Sequence, residues 1–109
     1  MKHREILAAF NEIAERRDWS RLHTPKNLAM ALAVEVAELG RHLQWRDDAG
    51  ITALMHSADA AQVAAELADI QMYLVKLADT LDVDLDTALR DKIAVNRLRA
   101  EAAEQGGDD

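Results

Sequence analysis

Three observations on the sequence predict an all-α fold. Helix formers dominate: Ala, Leu, Glu and Arg abound, and the single proline, Pro25, stands where a helix can begin. Apolar residues recur at three- and four-residue intervals through four long segments. No segment alternates apolar and polar residues with the two-residue period of a strand. A four-helix bundle protomer is the architecture these features predict.

The first helical segment runs from about Lys2 to Arg17, with Ile6, Phe10 and Ile13 at helical spacing. The second opens at HTPKN (residues 23–27), where Thr24 can cap and Pro25 suits the first helical position. It continues to about Gln44. Residues 45–56, with Asp47, Asp48 and Gly50, read as a loop. Ser57 or Asp59 starts a third helix that extends to about Leu81. The stretch DVDLD at 82–86 is a short connection in which Asp84 caps a fourth helix, running to about Ala103. Residues 1–104 therefore read as one domain and residues 105–109 as a flexible tail.

Composition narrows the function. Thirteen basic against twenty acidic residues give a net charge of −7, the wrong sign for binding a nucleic acid polymer. There is no cysteine, which removes disulfides, thiolate zinc sites and cysteine nucleophiles. The start, MKHREILAAF, lacks the apolar core of a signal peptide, and no apolar run approaches membrane-spanning length. A cytoplasmic protein that does not engage membranes is expected.

The informative residues are acids. On a wheel of about 100° per residue with Leu28 at zero, Leu32, Leu39 and Leu43 lie within about 60° on one side. On the other side Glu35 lies only about 20° from Leu28 and Glu38 about 80°, with His42 between them. Arg41 points away. In the third segment Val63, Ile70, Leu74, Leu77 and Leu81 form the stripe. Glu66 sits at its margin, Asp69 a further 60° or so round, and Tyr73 follows on the same margin. Carboxylates bordering a core are costly unless paired or metal-bound. If the second and third segments are antiparallel neighbours, Glu35, Glu38, Glu66 and Asp69 converge and require a cation. An all-oxygen donor set suits Mg²⁺, with Mn²⁺ as a substitute, and Mg²⁺ recruits substrate phosphates as further ligands.

The pattern ExxE, a gap, then ExxD resembles the MazG-like all-α nucleoside triphosphate pyrophosphatases. More of the chain agrees, in order: ERRDW at 15–19, HTPKNLAMAL at 23–32, QW at 44–45, ELADIQMYL at 66–74 and KIAVNRLR at 92–99. The resemblance covers about residues 5–99 and is strongest to the compact branch related to dCTP pyrophosphatases. It implies hydrolysis between the α and β phosphates, giving a nucleoside monophosphate and pyrophosphate, at a Mg²⁺ site made by the four acids. The implied role is housecleaning of unwanted (deoxy)nucleoside triphosphates, with dCTP preferred. No Walker A glycine loop exists among Gly40, Gly50, Gly106 and Gly107, so phosphates must be held by metal and side chains. Relatives often continue the NR motif into Tyr-Pro, whereas here Ala100-Glu101 follow Arg99.

The resemblance also assigns the supporting residues. Trp19 and Trp45 fall at predicted helix ends, where a tryptophan commonly lids a small core, but both match base-pocket positions, as does Tyr73. Lys92, Asn96 and Arg99 share one face of the fourth segment, ordinarily a solvated face. The resemblance gives Lys92 a phosphate and Asn96 a substrate contact, with Arg99 beside them. His23 and Lys26 flank the N-terminus of the second helix, which favours an anion. His42 reads as a neighbour of the acids and not a ligand.

Two other classes fit these residues less well. A ferritin-like di-iron bundle gathers four carboxylates but uses Glu-x-x-His, and here Arg41 and Asp69 stand where the histidines would be. A non-catalytic helical interaction module would tolerate neutralising the acids. Finally, the second segment carries Met30, Val34 and Ala37 opposite its Leu stripe, so it is apolar nearly all round. A small protomer cannot bury both faces, which predicts a homodimer or homotetramer.

Overall fold

The computed structural model describes residues 1–106. Every regular element among them is helical: α1 (His3–Arg16), a 3₁₀ turn (Ser20–Leu22), α2 (Pro25–Leu43), α3 (Asp48–Met55), α4 (Ala60–Thr80) and α5 (Leu85–Gly106). The all-α expectation holds, but the helix count does not. The predicted loop at 45–56 contains α3. Its Asp47 carboxylate accepts the Gly50 N–H at 2.8 Å, so residues that suggested a turn instead cap a helix. Leu54 then buries against the rest of the fold.

The other boundaries fall close to expectation. Thr24 Oγ1 accepts the Asn27 N–H at 3.3 Å and Pro25 opens α2. Asp84 accepts the Thr87 N–H at 3.2 Å at the head of α5. That helix continues past Ala103 to Gly106, so part of the expected tail is helical. Residues 107–109 of that tail lie outside the described residues.

The central pair is α2 with α4, and α1 packs on α4. His42 meets Glu66, Glu35 meets Asp69, and Leu28 shares a cleft with Tyr73, so α2 and α4 run antiparallel. Leu28 is wholly buried, while Leu32, Leu39 and Leu43 are half-buried beside it. On α4 the fully buried residues are Val63, Val75 and Ala78. Leu74 and Leu81, expected in the stripe, are exposed. The buried face has turned because α4 receives α1 as well as α2. Ile6, Phe10 and Ala14 of α1 supply the other side of this core.

The protomer is far from spherical. Its radius of gyration is 17.8 Å, against about 13 Å for a compact domain of this length. The cause is α5, 22 residues with none buried. Leu89, Ile93 and Leu98 on α5, and Met30 and Val34 on α2, are all exposed. Among the described residues, no helix is long and apolar enough to cross a membrane.

Candidate metal centre and nucleotide cleft

Three of the four acids converge. Glu35 from α2 and Glu66 and Asp69 from α4 each bring a carboxylate oxygen within 4.8 Å of the others. The three-residue spacing puts Glu66 and Asp69 on one face of α4, and the antiparallel pairing brings Glu35 opposite them. The electrostatics are those of crowded like charges. Glu35 is pushed up to about 6, chiefly by burial. A hydrogen bond to Glu66 adds to this, as do the negative charges of Asp69, Glu66 and Glu38. Glu66 Oε2 is buried with no hydrogen-bond partner among the described residues. An orphaned carboxylate oxygen inside a cluster of hard donors fits a divalent cation, which would satisfy that oxygen and offset the repulsion. Glu38 stands outside the trio, half-exposed, with its Oε1 3.9 Å from Arg41 Nη1.

Beside the acids lies a cleft of about 330 Å³ whose walls include Phe10, Trp19, Glu35, Asp69, Met72 and Tyr73. Across Trp19 and Tyr73, which line both, a second cleft of about 430 Å³ adds His23, Asn27, Leu28 and Met30. The aromatic walls brace one another. Phe10 meets Tyr73 edge-on with ring centroids 5.2 Å apart, and His23 in a tilted arrangement at 5.3 Å. Burial, then the negative charges of Glu35 and Asp69, hold the Tyr73 hydroxyl above its ordinary pKa, so it stays a donor. Burial, with help from the Lys76 ammonium, holds His23 below its usual value, so the imidazole is neutral at pH 7. Its Nδ1 is buried without a hydrogen-bond partner among the described residues.

Trp19 is aimed by the way α1 ends. Asp18 adopts a left-handed conformation with φ 56°, and the Trp19 N–H closes back onto Ala14 O at 2.7 Å. This Schellman closure turns the chain sharply at the indole. The Arg17 guanidinium then lies 4.8 Å from the indole centroid.

Other predicted residues are not gathered in the single chain. Trp45 is 88% exposed at the turn after α2. Lys26 is exposed on the first turn of α2. Lys92, Asn96 and Arg99 stand exposed on α5 and line neither cleft. Conversely, Phe10, Asn27 and Met72 are cleft residues that the sequence did not single out. Phe10 was visible only as part of the α1 apolar stripe.

The sequence profile described as the MazG-like family matches residues 30–107. dCTP pyrophosphatase 1 of Rattus norvegicus is 43% identical over 97 residues, covering 87% of this chain and 56% of that protein. dCTP pyrophosphatase 1 of Homo sapiens is 40% identical over 96 residues, with the same coverages, 87% and 56%. The chain thus spans little more than half the length of these curated relatives. A crystal structure of a pyrophosphatase from Archaeoglobus fulgidus DSM 4304 superposes with a TM-score of 0.78 at 32% identity. That match covers 88% of this chain and 89% of the other.

Proposed function

The chain belongs to the MazG-like family, and from that premise we propose that it is a Mg²⁺-dependent nucleoside triphosphate pyrophosphatase. It converts (d)NTP to (d)NMP and pyrophosphate, prefers dCTP, and clears the nucleotide pool of the cytoplasm. The observation that carries this reading is the trio Glu35, Glu66 and Asp69, with its orphaned oxygen, opening onto an aromatic-walled cleft. The names of the relatives, dCTP pyrophosphatase and pyrophosphatase, support the substrate and the reaction.

Glu35, Glu66 and Asp69 would hold the Mg²⁺, for which Mn²⁺ can substitute, with Glu38, one turn from Glu35, as the fourth carboxylate. When bound, the cation supplies neutralisation of the triphosphate charge and a more acidic attacking water. Everything else comes from the chain. Trp19 and Tyr73 stack the base, Phe10 supports Tyr73, and neutral His23 lies beside them at the inner wall. The antiparallel register of α2 and α4 puts Glu35 and Asp69 in the wall of the aromatic cleft, so a base stacked there would direct its phosphates toward the acids. Lys26, at the positive end of α2, attracts the anionic substrate.

Residues 1–104 act as one catalytic domain that works as a homodimer or homotetramer. In this assembly α5 of a neighbouring copy brings Lys92 and Arg99 to the phosphates and Asn96 to the substrate, and Trp45 closes over the base. Support comes from the extended protomer and from α5, which has no fully buried residue.

The test is product analysis with dCTP, dTTP, dUTP and dATP. Pyrophosphate and dCMP are the expected products from dCTP, at the highest kcat/KM, with no turnover in excess chelator. Orthophosphate as the first product would rule out α–β cleavage, and a purine preference would overturn the base assignment. Glu38→Gln should remain folded and lose orders of magnitude in turnover. Full turnover in that variant would place Glu38 outside the catalytic machinery, whereas no turnover in the original protein would favour a non-catalytic interaction module.

A further inference from the structure

We propose that His42 is a positioning residue for the metal-binding carboxylate of Glu66, an inference that rests on the pyrophosphatase reading of the acid trio. His42 lies on α2 one turn beyond Glu38 and two beyond Glu35, on the face turned toward α4. Its Nε2 stands 3.9 Å from Glu66 Oε1, and the two side chains are only 23% and 20% exposed. The contact therefore joins the two helices that build the centre and is partly shielded from solvent. The two oxygens of Glu66 are treated differently by the structure. Oε1 lies toward the imidazole and Glu35 adjoins the same carboxylate, while Oε2 is buried with no hydrogen-bond partner among the described residues.

A carboxylate whose two oxygens were equally free would present either one to a cation and lose rotational freedom on binding. A donor held beside Oε1 fixes the plane of the group and leaves Oε2 as the oxygen offered to the metal. Partners of this kind behind a ligand carboxylate typically change metal affinity by about 10- to 100-fold. At 3.9 Å the separation exceeds a direct hydrogen bond. One bridging water or a small rotation of either side chain closes it. The role does not depend on the charge of the ring, because the neutral imidazole can carry its hydrogen on Nε2 and the cation always does. His42 is not itself a ligand in this scheme.

The experiment is Mn²⁺ binding to the full chain without nucleotide, by calorimetry and electron paramagnetic resonance. It compares the original protein with His42→Leu, which keeps the bulk, and His42→Gln, which keeps a donor at similar reach. His42→Leu should weaken Mn²⁺ binding about tenfold, and His42→Gln should recover most of the loss. The Mg²⁺ concentration for half-maximal pyrophosphate release should rise in the same order. Unaltered Mn²⁺ affinity in His42→Leu, or equal loss in both variants, overturns the positioning role. A directly coordinated histidine nitrogen in the resonance spectrum overturns it too, by making His42 a ligand. Failure of the original protein to bind Mn²⁺ would instead defeat the metal-centre reading itself.

Discussion

Glu35 carries the cost of the site before any cation arrives. Folding raises its pKa from 4.5 to about 6. Between those values the folded chain therefore holds a proton that the unfolded chain has released. The stabilising contribution of that proton is fully present below pH 4.5 and is lost as pH rises through about 6. Chelator-treated protein should thus melt at a lower temperature at pH 7 than at pH 5. Glu35→Gln should remove much of that difference by raising the pH 7 melting temperature, while abolishing turnover. A pH dependence as steep in the variant as in the original chain would assign the effect elsewhere. Trp19 makes a second prediction at this scale. Loss of one stacking wall is worth about 1–3 kcal/mol, so Trp19→Ala should cut kcat/KM by about one to two orders of magnitude for every nucleotide. An effect confined to one base would mean that the indole reads base edges instead of stacking. The acids could be read from sequence because a carboxylate beside a leucine stripe violates the expected pattern. Phe10 could not, because a core phenylalanine and a cleft wall follow the same periodicity.

Helix ends decided which elements the sequence disclosed. Thr24 with Pro25, and Asp84, mark helix starts by residue type and spacing, and both caps form. Asp47 does the same chemistry at α3, but Asp-Asp-Ala-Gly also suits a turn, and eight residues are too few for periodicity to decide. The rotated face of α4 was hidden for another reason: burial there depends on α1, which arrives from elsewhere in the chain. Gly40 gives the prediction at this scale. It lies inside α2, and a Cβ added there would meet nothing within 4 Å. With no close approach to preserve, Gly40→Ala should stabilise the chain by about 1 kcal/mol. The check is a urea titration, in which the midpoint should rise with an unchanged slope. A lower midpoint would reveal a neighbouring surface that needs the missing side chain.

At the scale of the molecule, apolar surface is left over. Met30 and Val34 on α2 and Leu89, Ile93 and Leu98 on α5 are all exposed, an arrangement that a lone 109-residue chain gains nothing from. Sedimentation at micromolar concentration should therefore report a multiple of the 12.1 kDa chain mass. A mass equal to one chain would contradict the assembly. Periodicity in α2 disclosed the second apolar face in the sequence, and Met30 and Val34 on it are exposed. The reach of α5 could not be read the same way, since its apolar residues alone do not say whether they cover their own chain or another.

The unburied α5 has a kinetic consequence. If the exposed Leu89, Ile93 and Leu98 of α5 pack on another copy, as proposed, competence depends on collision and part of the folding free energy is bimolecular. Turnover per chain should then fall when the protein is diluted below its dissociation constant. It should return after reconcentration, with a lag that shortens as chain concentration rises. Activity strictly proportional to concentration down to the lowest detectable level would mean that α5 serves the site of its own chain.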